Sequence, residues 1–194
     1  MEGSSPPAVL VVEDERGLAD LYTNWLSEEF TVETAYTGED AMEMITEGFD
    51  VLLLDRRMPG LSGDQVLDRI RQQALDCRVV IVSAVEPDFD VIELGFDDYL
   101  VKPVSQEDLT DAVERMQKRR DYDRDLQRYF ALVSKKATLE VEKRTDELEE
   151  HAEYQALMDE IDDLRDQVDT TLTALDQDDM RAVLRDTASG YRSQ

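Results

Sequence analysis

Val51-Leu52-Leu53-Leu54-Asp55-Arg56-Arg57-Met58-Pro59-Gly60 is the stretch that decides how this chain folds. Four apolar residues in succession suit a short strand buried on both faces, and Pro59-Gly60 punctuate the loop beyond it. Asp55 stands where that strand ends. A carboxylate there is either a polar strand end facing solvent or a placed functional group. Two similar apolar runs, AVLVV at 8–12 and VVIV at 79–82, end in Glu13-Asp14 and in Ser83. A shorter one, Tyr99-Leu100-Val101, ends in Lys102-Pro103. Matching chemistry at four strand ends favours the functional reading.

Between these runs the spacing is helical. Residues 16–29 place Leu18, Leu21, Tyr22, Trp25 and Leu26 on one stripe. Residues 31–36 alternate, which suits a less buried strand at a sheet edge. Thr37, with Asp40 three residues on, caps a helix carrying Ala41, Met42, Met44 and Ile45, and Gly48 is its expected stop. Ser62 and Gln65 form a capping box ahead of Val66, Leu67, Ile70 and Ala74. A short helix is expected over 87–94, closed by Gly95. Ser105 and Asp108 cap a helix bearing Leu109, Ala112, Val113 and Met116. Five strand–helix alternations within 120 residues predict an α/β fold, a doubly wound five-stranded parallel sheet. Such sheets bind ligands beyond the carboxyl ends of their strands.

That rule gathers Glu13, Asp14, Asp55, Ser83 and Lys102 at one rim. Three carboxylates held close repel, so they need shared protons or a divalent cation. An all-oxygen donor set with few protein ligands suits Mg²⁺. A metal beside a lysine and a hydroxyl draws in a phosphoryl group. Asp55, alone on the central strand, is the candidate acceptor, through an acyl phosphate.

The motifs VVEDE, LLLDRRMPG, IVSA and DDYLVKP, in that order, resemble the receiver domain of two-component response regulators over residues 8–120. The resemblance implies a flavodoxin-like sheet of order 2-1-3-4-5 and a phosphoryl group donated by a sensor histidine kinase. It implies that Asp55 is the phosphoacceptor and that Asp14 binds Mg²⁺ directly. Glu13 would act on the metal through water, and the backbone carbonyl of Arg57 would complete the protein's ligands. Ser83 and Lys102 would hold the phosphoryl oxygens, and Tyr99 would report the state of Ser83. Pro103 matches a position that follows a cis peptide bond. It implies a phosphoacceptor with possible self-dephosphorylation, not a turnover enzyme. Three departures stand out: Glu-Asp in place of Asp-Asp, Ser in place of Thr at position 83, and the cation of Arg57. Arg56 reads as a surface residue.

Beyond residue 120 the pattern changes. No Gly or Pro occurs from 104 to 189, and the charge fraction is high, so long helices are expected. Tyr122, Leu126, Tyr129, Phe130 and Val133 form a first apolar stripe, resuming at Leu139. A break is expected near Thr145-Asp146. Tyr154, Leu157, Ile161, Leu164, Val168, Thr171 and Leu175 then follow a heptad, coiled-coil seam. The seam packs on the preceding helix as a hairpin or on a second subunit; the expectation is a hairpin with homodimerisation added. Asp176 to Asp179 precede a last short helix with Met180, Val183 and Leu184. The region resembles the HalX domain that follows receivers in halophilic archaea. The expected organisation is a leader over 1–7, a receiver over 8–120, a HalX-like helical domain over 121–188 and a frayed tail over 189–194. His151, the only histidine, reads as a solvated helix residue rather than a relay histidine.

Composition bounds the rest. The 194 residues carry a net charge of -26 and 41% apolar residues. Residues 1–120 hold 27 acids and 11 bases, and residues 121–194 hold 20 and 10. Arginines number 16 and lysines five. A dispersed acidic surface, rich in Arg over Lys, points to a cytosol with molar salt, where screening shortens self-repulsion; a merely acidic mesophilic protein is the alternative. The charge opposes non-specific nucleic-acid binding. Cys77 alone permits no internal disulfide and reads as a small core residue. Residues 1–7 have no signal-peptide pattern, and no stretch suits a membrane span, so a soluble, cytoplasmic protein is expected. Two rival functions remain open. One is a transcription regulator whose helical domain binds DNA; the other is a Mg²⁺-dependent phosphohydrolase using an Asp nucleophile.

Overall fold

A computed structural model describes residues 6–45, 48–87, 94–144, 147–148 and 151–190, with side chains as far as residue 175. The chain divides into two units, Met1–Gln117 and Lys118–Gln194. In the first, β1 is Ala8–Val12, β2 Thr31–Ala35, β3 Val51–Leu54, β4 Arg78–Ser83 and β5 Asp98–Val101. The five pair in parallel in the order β2-β1-β3-β4-β5. The helices are α1, Arg16–Leu26; α2, Gly38–Met44; α3, Gly63–Gln72; α4, Gln106–Glu142; and α5, Ala152–Gly190.

The unbroken apolar runs follow from burial on both faces of the sheet. Side chains alternate across a strand, so each run divides between two cores. Leu10, Val12, Leu52, Leu54, Val79 and Ile81 pack with Ala41 of α2 and Val66, Leu67 and Ile70 of α3. Val9, Val11, Val51, Leu53, Val80 and Val82 pack with Tyr22 and Leu26 of α1 and Leu109, Ala112, Val113 and Met116 of α4. Strand β2 lies at the edge, and its alternating burial accounts for the alternation in its sequence.

The caps lie where the sequence puts them. Thr37 Oγ1 accepts from the Asp40 amide at 3.0 Å. Ser62 and Gln65 bond reciprocally, as do Ser105 and Asp108. Four apolar placements and one helix stop need correction; Leu139 is 37% exposed. Leu21 is 39% exposed, and Ala19 takes its place on the buried face of α1. Helix α2 ends before Gly48: Ile45 is already its C-cap, in extended conformation. Ala74 lies past the end of α3 at φ 52, exposed, so it joins no stripe. Phe130 is 60% exposed, while Leu132 is buried. Most of the helix expected over 87–94 falls outside the described residues, as do Thr145 and Asp146.

The second unit is an antiparallel hairpin. Leu132 of α4 packs with Ile161 and Leu164 of α5, joined by Tyr129, Val133 and Leu157. Arg128 meets Glu160, and Tyr154 donates to Glu140 at 3.0 Å. As the α4 number rises its partner's falls, which fixes the opposed directions. All seven seam positions from Tyr154 to Leu175 are buried or half-buried. Helix α4 runs unbroken through residue 120, in keeping with the lack of Gly and Pro there. One boundary differs from expectation. Helix α5 continues to Gly190, so no separate last helix forms after Asp179. Among the described residues no helix is long and apolar enough to cross a membrane.

Candidate functional site

The parallel register brings the strand ends together. The Glu13 amide donates to the Ala35 carbonyl at 3.1 Å, and the Asp55 amide to that of Val12 at 2.9 Å. The Lys102 amide donates to the Ser83 carbonyl at 2.9 Å. The rim residues thus continue the sheet's hydrogen-bond ladder, and their side chains start from fixed backbone.

Glu13, Asp14 and Asp55 each direct a carboxylate oxygen into one cluster, all within 4.8 Å of one another. Lys102 Nζ donates to Glu13 Oε2 at 2.6 Å and to Asp55 Oδ2 at 2.9 Å. The Arg57 amide donates to Asp55 Oδ1 at 3.2 Å. Glu13 and Asp55 are buried, and Asp14 is the most accessible of the three. Burial pushes the Glu13 carboxyl above its ordinary range, against the pull of Lys102. Burial also works against the Lys102 charge, but its bonds to Glu13 and Asp55 prevail and hold the ammonium above its ordinary value.

Three carboxylates against one ammonium leave a charge deficit of two at a half-enclosed oxygen cluster. That donor set fits a divalent, hard cation. Asp14, more exposed than the other two, presents its carboxylate at the solvent side of the cluster.

Ser83, Tyr99 and Val85 form a neighbouring chain of bonds. The Val85 amide donates to Ser83 Oγ at 3.3 Å, and the Tyr99 hydroxyl to the Val85 carbonyl at 2.6 Å. Tyr99 stands edge-on to Phe96. The peptide bond between Lys102 and Pro103 is cis.

Arg57 is exposed and lines a cavity of about 850 Å³ with Asp14, Met58, Val85 and Glu86. Arg56 and Asp64 line it too. Arg56, expected at the surface, is instead enclosed. Its side chain is only 10% exposed, and its Nε donates to both oxygens of Asp64, at 3.0 and 3.2 Å. Nothing in the sequence signals a pair eight residues apart across a loop and a helix start. Gly63 was equally silent: a Cβ there would come within 2.1 Å of the Asp55 carbonyl oxygen.

Residues 9–114 match the model of the response regulator receiver domain. The chain belongs to that family. Residues 118–184 match the HalX domain, so a receiver is followed by HalX. A Haloferax volcanii protein named "Putative transcriptional regulator" is 47% identical over 152 residues, 78% of this chain and 25% of that protein. Transcriptional regulatory protein DltR of Streptococcus agalactiae is 35% identical over 106 residues, 52% of this chain and 47% of the relative. The chain therefore spans about a quarter to a half of the length of these relatives. Among solved structures, the Francisella response regulator 1452 receiver domain is 32% identical, with a TM-score of 0.53 over 58% of this chain and 98% of that one. Response regulator protein TrrA from Thermotoga maritima, in complex with Mg²⁺–BeF, is 30% identical, with a TM-score of 0.51 over 57% of this chain and 98% of that one. The sheet order and the helical region after the receiver agree with both family matches.

Proposed function

We propose that this receiver accepts a phosphoryl group on Asp55 from a sensor histidine kinase in a Mg²⁺-dependent reaction. The observation that carries this is the convergence of Glu13, Asp14 and Asp55 on one point, with Lys102 bridging two of them. Asp14 and Asp55 would hold the metal directly, Glu13 through water, and the Arg57 carbonyl would complete the set. Bound there, Mg²⁺ would supply charge neutralisation for the transferring phosphoryl oxygens.

An Asp55 oxygen attacks phosphorus and forms the acyl phosphate bond. The phosphorus–nitrogen bond of the donor phosphohistidine breaks, and the imidazole nitrogen keeps the electron pair. Lys102 exchanges its bond to Asp55 for one to a phosphoryl oxygen. Ser83 gives its hydroxyl to another, and Tyr99, tied through Val85, re-packs with it. Pro103 fixes the turn that leads on from Lys102. The chain acts as a phosphoacceptor rather than a turnover enzyme, and the helical unit passes the change on by altered assembly, as a homodimer or with another protein. In the test, the full chain is incubated with Mg²⁺ and acetyl phosphate and followed by mass. One phosphoryl group should be gained by the parent and none by Asp55→Asn; undiminished labelling of that variant overturns the acceptor assignment.

A second reading has an observation of its own. The Haloferax relative, matched over a stretch longer than either unit, is named "Putative transcriptional regulator". In that reading the HalX unit contacts DNA or a DNA-bound protein. A gel shift at molar salt decides: sequence-specific retardation by the full chain supports DNA contact, and its absence leaves regulation through protein partners.

A further inference from the structure

Asp55, Arg56 and Arg57 are consecutive, and the first turn of α3 grips the middle one twice. The Gly63 amide donates to the Arg56 carbonyl at 3.0 Å. One residue on, Asp64 takes the Arg56 guanidinium through both carboxylate oxygens. Gly63 also lies so close to the Asp55 carbonyl that no side chain fits between them. On the far side of Arg56, the Arg57 amide holds Asp55 Oδ1. The direction of that amide is set by the peptide that Arg56 carries. The loop's other end is tied as well, the Leu61 amide donating to Glu39 Oε1 at 3.0 Å.

An arginine two residues past a buried strand is costly to enclose, and its charge needs a partner. Here the partner stands on the wall of the cavity that Asp14 and Arg57 also line. The pair therefore borders the acidic cluster instead of lying elsewhere in the fold.

We propose that Arg56 and Asp64 are positioning residues: their ion pair fixes the Asp55–Arg57 backbone so that the Asp55 carboxylate and the Arg57 carbonyl face the cation site. Neither touches the reacting atoms. The inference rests on the metal reading of Glu13, Asp14 and Asp55. Groups that orient metal ligands from outside typically change metal affinity by about 10–100-fold when removed.

The test uses the full chain and Mn²⁺ as the probe, with free Mn²⁺ read by its EPR signal and unfolding followed separately. Arg56→Met and Asp64→Asn should each weaken Mn²⁺ binding by about tenfold or more. The double variant should lose no more than the worse single one, because both act through one contact. Asp64 is 37% exposed, so Asp64→Asn keeps the test alive should Arg56→Met fail to fold. Affinity within twofold of the parent in the folded variants, whatever their melting temperature, overturns the proposal and leaves a purely structural pair. Asp14→Asn is run beside them. If that variant binds Mn²⁺ as the parent does, the metal reading fails, and the positioning role fails with it.

Discussion

Lys102 in the receiver and Arg128 in the helical unit both pair with glutamate, yet in different settings. The Lys102 side chain is 13% exposed and its partner Glu13 only 3%. Arg128 and Glu160 are 64% and 38% exposed. A pair in water contributes little, since solvent and salt screen it and two long side chains must be ordered. A buried cluster costs desolvation and is not there for stability. The contrast extends to the cores. Among the described residues the receiver has two large apolar clusters, one on each face of the sheet, and the hairpin has one small cluster around Leu132, Ile161 and Leu164. The receiver can therefore carry a destabilising charged site, whereas the hairpin depends on a few apolar contacts.

The largest expected effect tests that dependence. Ile161→Ala, at a position 6% exposed, should cost about 2–5 kcal/mol and remove much of the hairpin's cooperativity. Circular dichroism should show an early loss of helix, while Asp55 labelling by acetyl phosphate stays within twofold. Joint loss of both would mean that the units do not differ in the way described.

Next comes the cost of the acidic site. Asp14→Asn removes one of three clustered carboxylates and should leave the metal-free chain at least as stable as the parent. The same variant should lose the rise in melting temperature that Mg²⁺ gives the parent. A fall in metal-free stability would show that repulsion is not what the cluster costs.

The third effect is a pH dependence. Lys102 is held above its ordinary value of 10.5, so its contribution is fully present below that pH and is lost as pH rises through the folded value. Urea midpoints of the parent should fall above pH 10.5, and Lys102→Met should show a shallower fall. Equal slopes would remove Lys102 from the account. The smallest effect concerns Cys77, whose thiol burial pushes up to about 12. Any stability linked to it is fully present below pH 9 and declines as pH rises from there to about 12. At pH 8 a thiol reagent should label almost nothing in the native chain and one thiol in denaturant; rapid native labelling would contradict the packing of the N-terminal end of β4.

Much of this architecture could be read from the residues because local signals and tertiary demands agreed. The runs at 8–12, 51–54 and 79–82 are apolar throughout since both faces are covered, and Ser62-Gln65 closes its own hydrogen bonds. The same directness made Glu13, Asp14, Asp55, Ser83 and Lys102 visible, each a polar residue at or just past the end of an apolar run. Leu21, Ala74 and Phe130 were misplaced because periodicity gives a stripe but not its width or its end. Arg56 was misjudged because an arginine in a loop looks the same whether it faces water or Asp64.

The amino-acid order by itself determined the sheet, the sequence of its elements and the polar residues at its rim, because burial on two faces leaves a pattern no other arrangement needs. Only the tertiary structure decided that Lys102 bridges Glu13 and Asp55 and that Arg56 is enclosed against Asp64. Those facts depend on distances between residues far apart in the chain, and on which charges lose their water. Neither is written into local composition or spacing.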